Sequence, residues 1–148
     1  GINSFVFRTK KPFHPKRFWT YIQKNFPGNV IRSKGLFWIG SRPEQALIWG
    51  QAGGSLRTDS AGVWWDSMPF EQRIKYASFV ENSKEIESDW SKQFGDRKNE
   101  IVFIGLGLDQ KEIEKELNKC LMNEQEISGM DLEKGYRDDW PVERVFPV

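Results

Sequence analysis

Glu44-Gln45-Ala46-Leu47-Ile48-Trp49-Gly50-Gln51-Ala52-Gly53-Gly54-Ser55-Leu56-Arg57-Thr58 is the stretch on which the fold turns. Glu44 to Gln51 and Leu56 to Trp65 are both strand-like runs, and Gly53-Gly54 between them is the dipeptide expected in a tight hairpin, with positive φ at both turn residues. A hairpin joins antiparallel neighbours, so the sheet built around it is expected to be mainly antiparallel. The second run is expected to break near Ser60-Ala61-Gly62.

Outward toward the N-terminus, Val30 to Ile39 reads as another strand. Before it, Phe18, Trp19, Ile22 and Phe26 form one stripe of a helix with Pro15 in its first turn, and Pro27-Gly28 ends it. Ile2 to Arg8 places Phe5 and Phe7 on one face and reads as a strand. Outward toward the C-terminus, residues 66–98 are more polar. Asn82 and Glu85 have capping-box spacing, and Ile86, Trp90 and Phe94 recur every fourth residue, which predicts a helix of about three turns behind a mobile lead-in. Ile101 to Leu106 is apolar at every position save Gly105, the pattern of a strand buried on both faces. Asp109 and Glu112 are placed to cap a final helix whose buried stripe is Ile113, Leu117, Cys120 and Leu121. From Ser128 onward the periodicity disappears. The order strand, helix, three strands, helix, strand, helix predicts an α+β fold. Its expected form is a mainly antiparallel sheet with helices on one face, close to a ferredoxin-like sandwich.

The chain has 148 residues, enough for one domain with a substantial core, and holds seven Trp and eleven Phe. No apolar run approaches the roughly 20 residues that span a bilayer, so no membrane partner is expected. One cysteine excludes an internal disulfide and points to a reducing, cytoplasmic setting. The net charge is only +1, but residues 1–43 hold nine Lys/Arg and no Asp/Glu, whereas residues 107–148 hold six Lys/Arg and eleven Asp/Glu. Arg8, Lys10, Lys11, Lys16 and Arg17, with His14 among them, cluster about one strand end and one helix start. They read either as a docking surface for an acidic partner or as charge neutralised by the acidic end within the fold.

Several motifs hint at chemistry. Gly105-Leu106-Gly107 follows a strand and precedes a helix, but Gln110 stands where a dinucleotide fingerprint needs its third glycine, so a tight turn is the better reading. Gln51 to Ser55 could cradle a phosphate only ahead of a helix, and a strand follows, so Gly53 and Gly54 are assigned to the turn. His14 is the only histidine and fits a helix start. Cys120 fits a core stripe, and the two cannot build the four-ligand zinc site between them. Asp96-Arg97 reads as a salt bridge fixing a loop. Lys34-Gly35-Leu36-Phe37-Trp38-Ile39 faintly echoes the strand on which RNA-recognition domains stack bases, with Leu36 and Phe37 out of pattern. Gly135-Tyr136-Arg137-Asp138-Asp139-Trp140-Pro141-Val142 could dock on a partner, lie over its own domain or stay disordered.

Four blocks in fixed order carry a family likeness: Ser4-Phe5-Val6-Phe7-Arg8 with Pro12-Phe13-His14-Pro15; Lys34-Gly35-Leu36-Phe37-Trp38; Trp49-Gly50-Gln51-Ala52-Gly53-Gly54-Ser55; and Phe94-Gly95-Asp96-Arg97 running into Glu100-Ile101-Val102-Phe103-Ile104-Gly105. Over residues 2–127 they resemble the C-terminal domain of CobW-type, YciC-like metallochaperone GTPases. The expected organisation is that domain over 1–127 and an acidic, aromatic tail over 128–148. The resemblance implies a non-catalytic domain of a GTP-dependent zinc or cobalt chaperone. GTP, magnesium and the metal would be held by the parent's GTPase domain, and this chain would hold no cofactor of its own. The partners it implies are that GTPase domain, a client metalloprotein or a second copy. No Gly-Lys dipeptide occurs, so the nucleotide loop ending in Gly-Lys-Ser/Thr is absent from this sequence, and a lone Cys120 cannot supply the family's Cys-x-Cys-Cys motif. A start at Gly1 fits an excised domain. The rival reading is a stand-alone nucleic-acid-binding α+β module, for which aromatic rings must be exposed on the sheet beside basic side chains. A small enzyme finds no supporting constellation.

Overall fold

Five strands make one sheet in the computed structural model, which describes residues 1–144: β1 (Ile2–Thr9), β2 (Val30–Phe37), β3 (Gln45–Ala52), β4 (Ser55–Val63) and β5 (Asn99–Leu106), in the order β1-β5-β2-β3-β4. Every neighbouring pair is antiparallel. Because β1 and β2 both run against β5, they are parallel to each other with β5 inserted between them. The helix α1 (Pro15–Lys24) connects them as a split β–α–β unit, the nucleus of a ferredoxin-like sandwich. The remaining long helix, α5 (Gln110–Cys120), packs beside α1.

Alternation along each strand decides which face the helices cover. Phe5, Phe7, Phe37, Leu47, Trp49, Ile101 and Phe103 all turn toward α1 and α5 and are buried. Phe18 of α1 stacks on Phe13 at 3.8 Å between ring centroids and lies 5.5 Å from Trp49, so the aromatic content is concentrated in one core. A second cluster at the end of the sheet joins Trp38, Ala46, Trp64, Phe94, Met122 and Ile127. The helix ends follow their sequence signals. The His14 ring accepts from Arg17 N–H with Pro15 next in the helix, and the Asp109 carboxylate accepts from Glu112 N–H to start α5. The break expected at Ser60-Ala61-Gly62 is a register shift, with Ala46 opposite Gly62 and Leu47 opposite Ser60.

Several elements differ from those the sequence predicts. The predicted helix through Phe94 is instead two short ones, α3 (Ala77–Glu81) and α4 (Ser83–Ser88), preceded by α2 (Phe70–Arg73). Asn82 makes no capping bond; its amide donates to the Ser78 carbonyl at 2.8 Å and closes α3 rather than opening a long helix. Phe94 is buried all the same, from a turn in which Ser91 and Gly95 exchange backbone hydrogen bonds. At the hairpin only Gly53 has positive φ, +57°, the sign pattern of a type II′ turn and not of the type I′ turn expected. β5 is covered on one face only: Val102 and Ile104 are each 37% exposed and Leu106 is 55% exposed. The apolar run reflects a strand in mid-sheet whose second face carries no helix among the described residues.

Past α5 comes α6 (Glu124–Ser128), opened by a capping box of Asn123 and Glu126. The chain then returns across the domain. Trp140 is buried, 5.9 Å from the Phe18 ring and 5.2 Å from Trp19. Asp138 forms a bidentate pair with Arg42 at 3.0 and 2.9 Å, and both side chains are buried. The acidic, aromatic segment thus packs on its own domain. The last four residues of the 128–148 tail lie outside the described residues.

Candidate docking site

The basic candidates from the N-terminal third lie near one another but are mostly matched within the chain. Arg8, at the end of β1, pairs with Glu100 at 3.3 Å. The Lys10 ammonium meets the Asp89 carboxylate at 2.8 Å and the Asp89 carbonyl at 2.6 Å. Lys98 meets the same carboxylate at 2.9 Å, and hydrogen bonds from both lysines hold the Asp89 carboxyl below the usual carboxylate range. The Arg17 guanidinium forks onto Glu126 at 2.7 and 3.0 Å and also donates to the Leu121 carbonyl. That fork, with the Asn123 N–H, takes the Glu126 carboxyl down to about 2. His14 Nε2 stands 3.8 Å from Glu126, while burial and the Arg17 charge lower its pKa. Lys11 and Lys16 have no carboxylate partner among the described residues. The acids that quench this cluster come from far along the chain, which a local charge count misses.

Cys120 is buried, and its thiol donates toward the Glu116 carbonyl at 3.4 Å. Burial pushes its pKa up to about 11. His14 donates its backbone N–H to the Cys120 carbonyl at 2.8 Å, yet its Nδ1 is already committed to the start of α1. No group of three or more His, Cys, Asp or Glu side chains converges as a cation site would need among the described residues. Asp96 and Arg97 do not pair with each other. Asp96 accepts from Trp65 N–H and Asp66 N–H, both at 2.9 Å. The Arg97 guanidinium is buried, bonded to Asp66, Ser67 and two backbone carbonyls, and lies over the Trp38 ring. Asp96 closes the 65–98 segment on itself, and Arg97 ties it to the Pro43 carbonyl just ahead of β3.

The uncovered face of the sheet is the feature the sequence reading missed. Cross-strand register places Val102 opposite Lys34, Ile104 opposite Arg32, and Leu36 opposite Ile48. Ile48, on β3, is 38% exposed, close to the 37% of Val102 and Ile104 on β5. Arg8 with Glu100, and Arg57 with Asp59, neutralise each other toward the two edges. Arg32 and Lys34 have no carboxylate partner among the described residues. Among the described residues the face carries no aromatic ring: Phe37 and Trp38, which the RNA-binding echo would expose, are completely buried. The signal was present as the alternation Arg32-x-Lys34 beside an apolar strand. The continuous apolarity of β5 hides it, because residue types that do not alternate imply burial on both sides.

Comparison with known proteins places this geometry in context. The profile of the cobalamin synthesis protein cobW C-terminal domain matches residues 2–121. Zinc-regulated GTPase metalloprotein activator 1 of Dictyostelium discoideum is 40% identical over 131 residues, which is 86% of this chain and 26% of that protein. A zinc chaperone of Mycobacterium tuberculosis is 30% identical over 139 residues, 90% of this chain and 34% of that protein. The Zn(II)-bound YjiA GTPase from E. coli shares the fold over 82% of this chain and 30% of that one, with a TM-score of 0.54 at 18% identity. The chain therefore spans about a third or less of each of these proteins.

Proposed function

The chain belongs to the cobW C-terminal domain family, and from that premise we propose that it is the non-catalytic docking domain of a GTP-dependent zinc chaperone. The observation that carries the reading is the 40% identity, across 86% of the chain, to a zinc-regulated GTPase metalloprotein activator. The internal chemistry supports it. The one histidine opens a helix, the one cysteine is buried, and the Gly53-Gly54 block is a hairpin, so these groups serve the fold. What is left for function is surface. The GTPase part of the parent holds nucleotide, magnesium and zinc, and this domain engages that part or, through it, a client metalloprotein.

Lys11 and Lys16 remain candidate docking residues, because Arg8, Lys10 and Arg17 already have carboxylate partners. The test is retention of this chain on the immobilised GTPase part of the parent, loaded with GTP or GDP. Retention in at least one nucleotide state is expected. Retention in neither would remove the docking reading.

A further inference from the structure

We propose that the helix-free face of the sheet, centred on Val102 and Ile104 of β5 and flanked by Arg32 and Lys34 of β2, is the interface for an acid-flanked apolar ridge on the GTPase part of the parent. The inference rests on the docking reading above and names its surface and its chemistry.

An interior strand of a sheet is protected along both edges, yet β5, between β1 and β2, presents β-branched side chains to solvent on this face; Val102 faces Val6 of β1 across the register, and Leu36, which faces Ile48, lies on the diagonal beyond Lys34 and Glu100. An exposed apolar patch of this kind marks an interaction site more often than chance. Charge selects the occupant. Arg32 and Lys34 stand beside the apolar centre with no carboxylate partner among the described residues, so a partner bringing carboxylates gains where a neutral one does not. A second copy docked face to face would set Arg32 and Lys34 against their own equivalents, which the same charge argument disfavours. Nucleic acid would find cations but, among the described residues, no ring on which to stack a base. An amphipathic helix lying across the sheet, apolar below and acidic along its flank, completes a second layer like the one α1 and α5 make on the opposite side.

The experiment places a thiol on this face by Ile104→Cys and follows its reaction with a maleimide. The native Cys120 is buried and serves as an internal slow reference. The introduced thiol is expected to react at least tenfold more slowly in the intact parent than in this chain alone. Adding Val102→Thr and Lys34→Glu in the parent is expected to restore the fast rate; the threonine keeps the branched strand residue, and a melting curve checks folding. A Lys92→Cys control, on an exposed side chain, should label equally in both. Equal rates for Ile104→Cys in parent and chain would overturn the proposal. Retention on the GTPase part would then still stand, and the surface alone would be wrong. Protection in the chain alone that grows with its concentration would make the occupant a second copy. Protection that appears only with a single-stranded oligonucleotide would make it nucleic acid. Either result would also overturn the proposal.

Discussion

Glu126 ties α6 to the start of α1: it accepts two hydrogen bonds from Arg17 and one from Asn123 N–H, and faces His14. Its carboxyl lies near 2 in the fold against an ordinary 4.5, so its contribution to stability is complete above pH 4.5 and is lost as pH falls from there toward 2. His14 is also lowered, from 6.5, and protonation on acidification again favours the unfolded chain. Stability should therefore decline from about pH 6.5 downward. Glu126→Gln should cost about 1–2 kcal/mol at pH 7, with the gap to wild type closing below pH 4.5; urea titrations across pH read this directly. Arg97→Ala should cost about 3 kcal/mol or more, because it leaves buried carbonyls and Asp66 without their donor. Zinc competition against a chromophoric chelator should show no equimolar nanomolar site in this chain, because the Cys120 thiol is protonated at neutral pH and His14 Nδ1 is engaged. At this scale the sequence is legible where a residue's role is local, as with His14 before Pro15 or Cys120 on its stripe. It is opaque where a charge finds its partner some 80–110 residues away, as Lys10 does in Asp89 and Arg17 in Glu126.

Among the elements, the hairpin shows how a correct motif can carry the wrong detail. Gly53-Gly54 joins β3 to β4 as its spacing implies, but a left-handed φ is needed only at Gly53. Gly53→Val should therefore lower stability by about 1–3 kcal/mol, whereas Gly54→Ala should be nearly neutral, a contrast read by thermal unfolding. Gly35 is restricted for another reason: a Cβ there would run into the Glu100 carbonyl of β5, so Gly35→Ala should destabilise more than either. The segment between β4 and β5 defeats periodicity because its apolar residues serve a turn-built packing rather than a helix face. Phe79 and Phe94 are both buried, yet only Phe79 is helical. β5 defeats it in the opposite way, since its side chains alternate between a covered and an open face although the residue types do not.

At the scale of the whole molecule, the antiparallel sheet, its one helical layer and the family likeness follow from the order of strand, helix and hairpin signals. The return of the C-terminal segment does not, because Trp140 and Asp138 dock onto α1 and Arg42 with no repeating pattern to announce it. Trp140→Ala should cost about 3–5 kcal/mol, measured by chemical unfolding, since it empties a site packed against Phe18, Trp19 and Phe37. One helical layer leaves the other side of the sheet without a helix among the described residues, and the assignment of the docking surface to that face is the central claim. The direct test is a methyl-resolved NMR titration of this chain with the GTPase part of its parent. The account predicts that the Val102, Ile104 and Ile48 methyls shift or broaden on saturation while Ile113 and Leu117, on the buried face of α5, stay in place. Binding that leaves Val102 and Ile104 unmoved, with the shifts elsewhere on the domain, would contradict it.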